Sequence, residues 1–233
     1  MQDAARVFDA TVLAMARLAE PGEAGNHIVR IQHYCRALAQ KLKVSPAYGR
    51  SMSEHTIHLI FRASPLHDIG NAGVPDRFLL KPGPLTAEEL EIIRTHPTLG
   101  RDTLDQIRST AGVSTEFLEV ARDIVHGHQE HWDGTGYPQG IAGEAIPLAA
   151  RVMAIADAYD ALTSDRVYRA GVAHDKAVQQ IFQERAAQFD PDMVDAFIEI
   201  QDEFAAIAER FADTERDLQQ KIAYMAQAIA ESP

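Results

Sequence analysis

The sequence predicts an all-α protein, a bundle of about eight or nine helices with one long glycine-rich loop. Apolar residues recur at steps of three and four along most of the chain, as they do on the buried face of an amphipathic helix. No stretch of any length alternates apolar and polar residues with the period of two that a half-buried strand requires. Helix-start signals, such as the capping box formed by Thr86 and Glu89, mark where individual helices begin.

Proline, glycine and capping residues set the boundaries of the predicted helices. Pro21-Gly22 ends the first helix, and Ser45-Pro46 is typical of a helix start with proline in the first turn. The glycines and prolines of 132–147 predict a long ordered loop. The predicted elements are helices over 4–19, 23–43 and 45–67, a loop over 69–85, helices over 86–95, 96–109 and 115–128, the loop over 132–147, and helices over 148–163, 175–187 and 192–231, the last broken near 212–214.

The predicted helices divide the chain into three parts. Residues 1–20 are expected to form an N-terminal helix that links to an upstream sensor or receiver domain. Residues 21–200 are expected to form the main domain, and residues 201–233 a C-terminal helical extension. The terminal helices can pack together, continue into partner domains, or pair two copies in a homodimer.

Composition bounds the class of protein and its partners. Hydrophobic residues make up 46% of the 233 residues and charged residues 24%, which is typical of a soluble globular protein. No apolar run approaches the roughly 18 residues of a membrane span, and the N-terminus lacks the pattern of a signal peptide. The single cysteine, Cys35, excludes an intrachain disulfide, so we expect a cytoplasmic protein. A net charge of -12 argues against binding of nucleic acid polymers, although a small anion can still bind in a locally positive pocket.

The adjacent pair His67-Asp68 is the first candidate for a metal site. The pair ends an apolar segment and precedes Gly70, which favours side chains directed inward. Imidazole and carboxylate ligands suit divalent iron, manganese or zinc. Two such neighbours also occur by chance, so further ligands are needed to define a site.

Further potential ligands are spread along the chain. Glu23 and His27 share one face at the start of a helix, where a solvated first turn is the alternative. His96 lies at a helix break, where a capping histidine is the alternative. Of His126 and His128, which lie two residues apart on one helix, at most one can face a shared site.

Two carboxylates and two arginines follow near residue 160. Asp157 and Asp160 lie three residues apart in an otherwise apolar helix. Because burial of unpaired carboxylates is costly, either metal ions or a buried ion-pair or capping network must compensate them. Arg166 and Arg169 can fork onto phosphate oxygens, with a solvated basic turn as the alternative.

The loop over 132–147 presents an aromatic side chain next to glycine. Gly136 permits a tight turn and a close approach of the backbone. Tyr137 can stack on a nucleobase or donate a hydrogen bond to a phosphate. The alternative is a structural loop with Tyr137 in the core.

The order of these motifs resembles that of the HD-GYP family, a branch of the HD phosphohydrolases whose members degrade the bacterial messenger cyclic di-GMP. The resemblance covers about residues 20–200. It is carried by Glu23-x-x-x-His27, His67-Asp68-Ile69-Gly70, His96, His128, Gly136-Tyr137-Pro138 and Asp157-Ala158-Tyr159-Asp160.

The resemblance implies a cluster of two or three divalent metal ions. Iron or manganese is favoured, with zinc or nickel as alternatives. His67, Asp68 and Asp157 would bind the first ion. Asp68 would also bridge to a second ion, which His96 and His128 would hold.

The other positions that match the family imply a third ion and contacts to the substrate. Glu23 and His27 match the additional ligands of members that hold three ions. Asp160 would support the ligands or orient the nucleophile, so Asp68 and Asp160 are the expected catalytic carboxylates. The residues expected to contact the substrate are Asn71, Gly136, Tyr137, Arg166 and Arg169.

The chain departs from the family pattern at two positions. Gln129 stands where the family usually has a second histidine, so the second ion would receive either a weak amide oxygen or a water. Asn71 stands where the family usually has a lysine. Asparagine keeps a hydrogen-bond donor but lacks the positive charge near the phosphate.

The activity implied by the resemblance is metal-dependent hydrolysis of cyclic di-GMP to pGpG, to GMP, or to both. One alternative is a module that binds cyclic di-GMP or a protein partner without efficient turnover. Another alternative is hydrolysis of a different cyclic dinucleotide. Expected partners are cyclic di-GMP and, among proteins, a diguanylate cyclase or another signalling protein.

Overall fold

The computed structural model describes residues 2–20, 26–81, 83–112, 115–165 and 170–231. Over these ranges the chain forms helices and no strand, apart from an isolated bridge between Arg185 and Phe189, so the all-α prediction is confirmed. The helices are α1 (Gln2–Ala19), α2 (His27–Lys43), α3 (Glu54–Ala63), α4 (Asp76–Leu79), α5 (Ala87–Ile93), α6 (His96–Ala111), α7 (Glu116–Gly127), α8 (Leu148–Thr163), α9 (His174–Gln183), α10 (Pro191–Glu199), α11 (Gln201–Arg210) and α12 (Glu215–Glu231).

The third helix begins later than the sequence predicted, and it ends earlier. Ser45-Pro46 opens a series of turns, whereas α3 begins after Ser53, whose hydroxyl accepts a hydrogen bond from the backbone N–H of Thr56 at 3.0 Å. This side-chain cap satisfies a backbone donor that would otherwise be unpaired at the helix start. A 3-10 turn, Ser64–Leu66, then leads to His67.

The segment predicted as a loop over 69–85 contains two short helices. A 3-10 helix spans Ile69–Gly73, and α4 follows directly after Pro75. The capping box at the start of α5 is present as predicted, because Thr86 and Glu89 each bond the other's backbone N–H. The prolines and glycines that predicted an irregular loop therefore lie at the boundaries of short helices.

The long C-terminal helix predicted over 192–231 is three helices. The predicted break near Asp213 separates α11 from α12, and a second break at Ile200 separates α10 from α11. The preceding helix, α9, is shorter than predicted and ends at Gln183. These extra breaks and the short helices in the predicted loop give more helices than the eight or nine expected.

Helix α2 lies at the centre of the bundle and contacts α3, α8, α10 and α11. Aromatic rings fill the core beside it: Tyr34 stacks on Phe204 at 4.7 Å between ring centroids, and Tyr159 meets both edge-on. Helix α8 is buried on most of its faces, as its nearly continuous apolar sequence predicts. The central position of α2 and α8 places their polar side chains inside the protein. None of the helices in the described part of the chain has the length and apolar character that a membrane crossing needs.

Candidate metal centre

The centre of the site is His67-Asp68, where the 3-10 turn after α3 ends. His67 is buried, and its Nε2 lies 3.8 Å from Oδ2 of Asp68. Gly70 lets α6 approach this turn, since a Cβ at position 70 would lie 1.9 Å from the carbonyl oxygen of His96. The approach places Nε2 of His96 3.2 Å from Oδ1 of Asp68. His128, at the end of α7, lies 3.3 Å from the same oxygen.

The candidate metal ligands among the described residues form two groups of three. Asp68, His96 and His128 make one group, and in it the ligand atoms lie within 4.8 Å of one another. Glu20, His27 and His67 make the other group by the same measure. Because His67 and Asp68 are adjacent in sequence, the two groups are joined at this pair.

Each histidine of the two groups directs its Nε2 toward the site because its Nδ1 is held by an acceptor outside it. A backbone carbonyl or a carboxylate can only accept, so the Nδ1 nitrogen must carry the proton and the Nε2 lone pair is left for a metal ion. These Nδ1 contacts are His27 to Asp160 at 2.7 Å, His67 to the Ser64 carbonyl at 3.1 Å, His96 to the Ile93 carbonyl at 2.8 Å, and His128 to the Ile124 and Val125 carbonyls at 3.1 Å.

Within the described part of the chain, three of the four carboxylate oxygens in the two groups are buried without a hydrogen bond of good geometry. Both oxygens of Glu20 and Oδ1 of Asp68 accept no hydrogen bond of good geometry from the described residues. The contact that Glu20 does make is an ion-pair distance of 3.4 Å to Nε2 of His27. Unsatisfied buried carboxylate oxygens are costly, and a divalent cation would compensate them. The donor set therefore fits metal ions.

The pKa values of His67 and Asp68 reflect the same surplus of negative charge. Burial lowers the pKa of His67, but the carboxylates of Asp68, Glu20 and Asp157 more than offset this, and the pKa is raised. Burial raises the pKa of Asp68, yet His67, His128 and His96 hold it well below its usual range. The site thus favours positive charge beside ionised carboxylates.

Asp160 lies behind His27, one of the candidate metal ligands. Besides His27, its carboxylate accepts from Nε of Arg30 at 2.6 Å and from the Ser164 hydroxyl at 3.1 Å. Burial raises its pKa, but His27 and Arg30 together hold it far below the usual range. Of the two alternatives for this helix, Asp160 thus has the buried ion pair, whereas Asp157 lines the cavity.

The glycine-rich loop is held close to the site by Glu130. The buried carboxylate of Glu130 accepts from the backbone N–H groups of Gln139 and Gly140, at 2.7 and 3.0 Å. A Cβ at Gly136 would lie 2.2 Å from the backbone nitrogen of His131, so only glycine fits there. The Tyr137 ring then lies 6.3 Å from that of His96.

A cavity of about 540 Å³ connects these residues. Asn71 and Gln129, the two departures from the family pattern, both line it, and Nδ2 of Asn71 donates to Oδ2 of Asp68 at 3.1 Å. The predicted site residues on its wall are His27, Asp68, Asn71, His96, Gln129, Tyr137 and Asp157.

His126 faces away from the cavity, which agrees with the prediction that at most one of His126 and His128 faces a shared site. Its Nε2 accepts from Nη1 of Arg101 at 3.0 Å. Burial, together with Arg101 and Arg122, lowers the pKa of His126 to about 4. His126 therefore does not replace the missing second histidine at Gln129.

Three predicted site residues, Glu23, Arg166 and Arg169, lie outside the described residues. Sequence reasoning missed Glu20, which the structure places with His27 and His67. Glu20 directly follows α1, in a segment that the sequence predicted as an N-terminal helix linking to an upstream domain, and its spacing from His27 spans more than one helical turn. Its position directly before Pro21 was the one available signal.

Together, the fold and the paired ligand groups define an all-α protein with a candidate multinuclear metal centre. The family model described as "HD domain" matches residues 12–193. The chain belongs to the HD domain family, and its resemblance to the HD-GYP branch is confirmed.

Several relatives are similar over most of this chain. A "Probable cyclic di-GMP phosphodiesterase" of Vibrio cholerae is 46% identical over 90% of this chain and 48% of its own length. The "Cyclic di-GMP phosphodiesterase response regulator RpfG" of Xanthomonas campestris is 37% identical over 81% of this chain and 47% of its own. A "3'3'-cGAMP-specific phosphodiesterase 2" of V. cholerae is 35% identical over 86% of this chain and 36% of its own length. The chain thus spans about half the length of the first two relatives.

Two solved structures share the fold. The HD-GYP-type protein Bd1817 from Bdellovibrio bacteriovorus aligns with a TM-score of 0.55 and 20% identity, over 76% of this chain and 52% of its own. A cyclic GMP-AMP-specific phosphodiesterase of V. cholerae aligns with a TM-score of 0.53 and 18% identity, over 95% of this chain and 60% of its own. At these identities the likeness concerns the fold alone.

Proposed function

We propose that this chain is a metal-dependent phosphodiesterase that hydrolyses cyclic di-GMP to pGpG, GMP or both. The observation that carries the proposal is the pair of buried ligand groups joined at His67-Asp68, beside Tyr137 in one cavity. The names of the relatives at 46% and 37% identity support the choice of substrate. On this proposal the chain acts in the cytoplasm, with a free, buried Cys35.

The proposed metal ligands are the two described groups together with Asp157. Histidine and carboxylate ligands suit iron, manganese and zinc alike. The resemblance to the HD-GYP family favours iron or manganese, with zinc or nickel as alternatives. Two ions would occupy the groups around His67 and Asp68, and Glu23 remains a proposed ligand for a third. When bound, divalent ions supply Lewis-acid stabilisation of the charge on phosphoryl oxygens.

The chain's own residues orient the ligands and the substrate. Asp160 holds Nδ1 of His27, and Asn71 holds Oδ2 of Asp68, so each fixes the direction of a ligand. Tyr137 offers a ring for base stacking or a hydroxyl for a phosphate oxygen. Arg166, Arg169 and Gly136 remain proposed substrate contacts. The cavity of about 540 Å³ is in the size range of ligand sites.

Product analysis tests the proposal. Protein loaded with iron or manganese is incubated with cyclic di-GMP and, separately, with 3'3'-cGAMP, and the products are separated by chromatography. We expect pGpG or GMP from cyclic di-GMP, and no product from an Asp68→Asn control. Faster turnover of 3'3'-cGAMP would move the assignment to the substrate of the relative at 35% identity.

A binding module without turnover is the second candidate, because Asn71 and Gln129 both line the cavity. It predicts calorimetric binding of cyclic di-GMP and no product. Under that candidate an Asn71→Lys/Gln129→His double variant gains turnover that the natural sequence lacks. Regulatory partners such as a diguanylate cyclase, and a homodimer through the terminal helices, remain proposals tested by co-purification and by light scattering.

A further inference from the structure

The C-terminal helix α12 places a buried lysine on the wall of the metal-site cavity. The side chain of Lys221 is 2% exposed, and it lines the same cavity as Asp68 and Tyr137. Helix α12 lies beyond residue 193, where the match to the family ends. Burial of an ammonium group is costly unless the group has anionic partners. Lys221 has such a partner in Asp213, and it also lines the cavity.

The charges on the cavity wall favour a role in binding an anion. Lysines 81 and 221 are the lysine and arginine side chains among the described residues that line the cavity, and both are paired: Nζ of Lys81 with Glu89 at 2.6 Å and Nζ of Lys221 with Asp213 at 3.1 Å. Asn71, near the metal ligands, is neutral. The carboxylates on the wall are Glu20, Asp68, Asp76 and Asp157. Metal ions at the proposed ligands would offset Glu20, Asp68 and Asp157. Lys221, the more deeply buried of the two lysines, adds positive charge for a phosphodiester anion where α12 meets the cavity.

Two contacts hold Lys221 and its helix in position, one made by the lysine itself and one by the next turn of α12. Its Nζ donates to Oδ2 of Asp213 at 3.1 Å, and the other oxygen of Asp213 accepts from Arg30 at 3.1 Å. One turn further along α12, the hydroxyl of Tyr224 donates to Asp76 at 3.3 Å, next to the cavity. Met225 lines the cavity as well. A lysine fixed in this way loses less conformational entropy on binding than a mobile surface lysine does.

We propose that Lys221 is a substrate-binding residue whose ammonium group contacts a phosphate oxygen of the cyclic dinucleotide. This inference rests on the proposed function, because it takes the cavity as the substrate site. It makes the C-terminal helix part of the site.

The competing role for Lys221 is structural, as an anchor of α12 on Asp213. Three variants separate the roles. Lys221→Met removes the charge and keeps the length of the side chain, and Lys221→Arg keeps the charge. Asp213→Asn weakens the anchor and leaves the lysine. Lys43→Met, at an exposed lysine paired with Glu54, controls for the loss of one positive charge elsewhere.

The experiment compares KM for cyclic di-GMP with Kd for a phosphorothioate analogue that resists hydrolysis, both on metal-loaded protein. Metal content and melting temperature are measured for every variant. We expect Lys221→Met to raise KM and Kd by about 10-fold or more, the loss typical of one hydrogen bond to a charged group. Lys221→Arg and Lys43→Met should stay within about 3-fold, and Asp213→Asn should affect melting more than Kd.

Three results overturn the inference, and the third is distinguishable from the first two. If the natural sequence binds the analogue and Lys221→Met binds it equally well, or if Asp213→Asn raises Kd as much as Lys221→Met does, Lys221 is an anchor and the proposed function stands. If the natural sequence neither binds nor cleaves cyclic di-GMP, the proposed function is wrong, and this inference is overturned with it.

Discussion

Nδ1 of His27 lies 2.7 Å from Oδ2 of Asp160, and Arg30 binds the same carboxylate from its other side. The carboxylate thus fixes which nitrogen of His27 carries the proton, and Nε2 is directed toward Glu20. Contacts of this kind raise the basicity of a ligand and fix its orientation. The arrangement links a ligand group to Arg30 and Asp213, and through them to the C-terminal helix.

Asp160→Asn should weaken metal binding by about 10- to 100-fold, the usual effect of losing a carboxylate behind a ligating histidine. Metal affinity is measured by competition with a chelator of known affinity. Asp190→Asn is the matched control, because Asp190 is also buried and paired with an arginine, Arg151, away from the cavity. It should lower the melting temperature and leave metal affinity unchanged. Equal metal affinity in both variants would contradict this role for Asp160.

Glu20→Gln should reduce the metal bound at the group that contains His27 and His67. The substitution keeps the shape of the side chain and removes the anionic oxygen that the group provides. Metal content per chain is measured by mass spectrometry after loading with iron or manganese. Glu88→Gln, at an exposed position in the first turn of α5, serves as the control. Unchanged metal content in Glu20→Gln would remove Glu20 from the ligand set and favour Glu23.

Gln129→His should strengthen metal binding at the group that contains Asp68 and His128. Gln129 already lines the cavity, and an imidazole is a better ligand than an amide for divalent transition metals. We expect an affinity gain of about 10-fold and a matching increase in turnover where metal is limiting. Gln139→His, in the glycine-rich loop, is the control. If the gain is absent, position 129 does not reach the metal.

Gly70→Ala should destabilise the protein by about 2 kcal/mol or more, because the new methyl group would collide with the backbone of His96. Displacement of His96 should lower metal affinity as well. Gly73→Ala is the control in the same 3-10 helix, since its Cβ would meet a side-chain carbon of Leu99 at 3.0 Å, which can move. Denaturant unfolding measures both variants, and an equal loss in both would contradict the close approach at Gly70.

The pKa of His33 should lie below its usual value. Burial lowers it first, and the positive charges of Arg36 and Arg210 lower it further, while its ring stacks on Phe211 at 4.6 Å. Because the pKa of His33 is lower in the folded state than in the unfolded state, the folded state is favoured when the ring is neutral. That contribution is complete above about pH 6.5 and is lost as the pH falls below it. An NMR titration of the His33 ring checks this, and Arg210→Ala should raise the pKa. A pKa above 6.5 would contradict the account.

The parts of the site that the sequence predicted are those carried by short motifs. The structure brings Asp68, His96 and His128 together beside His67. The spacing of His126 and His128 predicted that at most one of them faces the site, and His128 is the one that lies there. Each of these residues lies next to a helix end, where local sequence determines the direction of the chain. Local reasoning therefore served well for these positions.

The parts that the sequence missed depend on contacts between distant elements. Glu20 and Lys221 reach the cavity from the first and last helices, and Arg30 meets Asp160 across 130 residues. No periodicity within one helix predicts such pairings, because tertiary packing alone brings them together. The boundary error at α3 was different in kind: Ser45-Pro46 fits the pattern of a helix start, but Ser53 makes the side-chain cap.

The most direct test of the central claim is anomalous scattering from crystals of protein loaded with iron or manganese, recorded at the absorption edge of the metal. We predict at least two anomalous peaks, one at the group that contains Glu20, His27 and His67 and one at the group that contains Asp68, His96 and His128. Absence of any peak beside His67-Asp68 in protein that retains its fold would contradict the account.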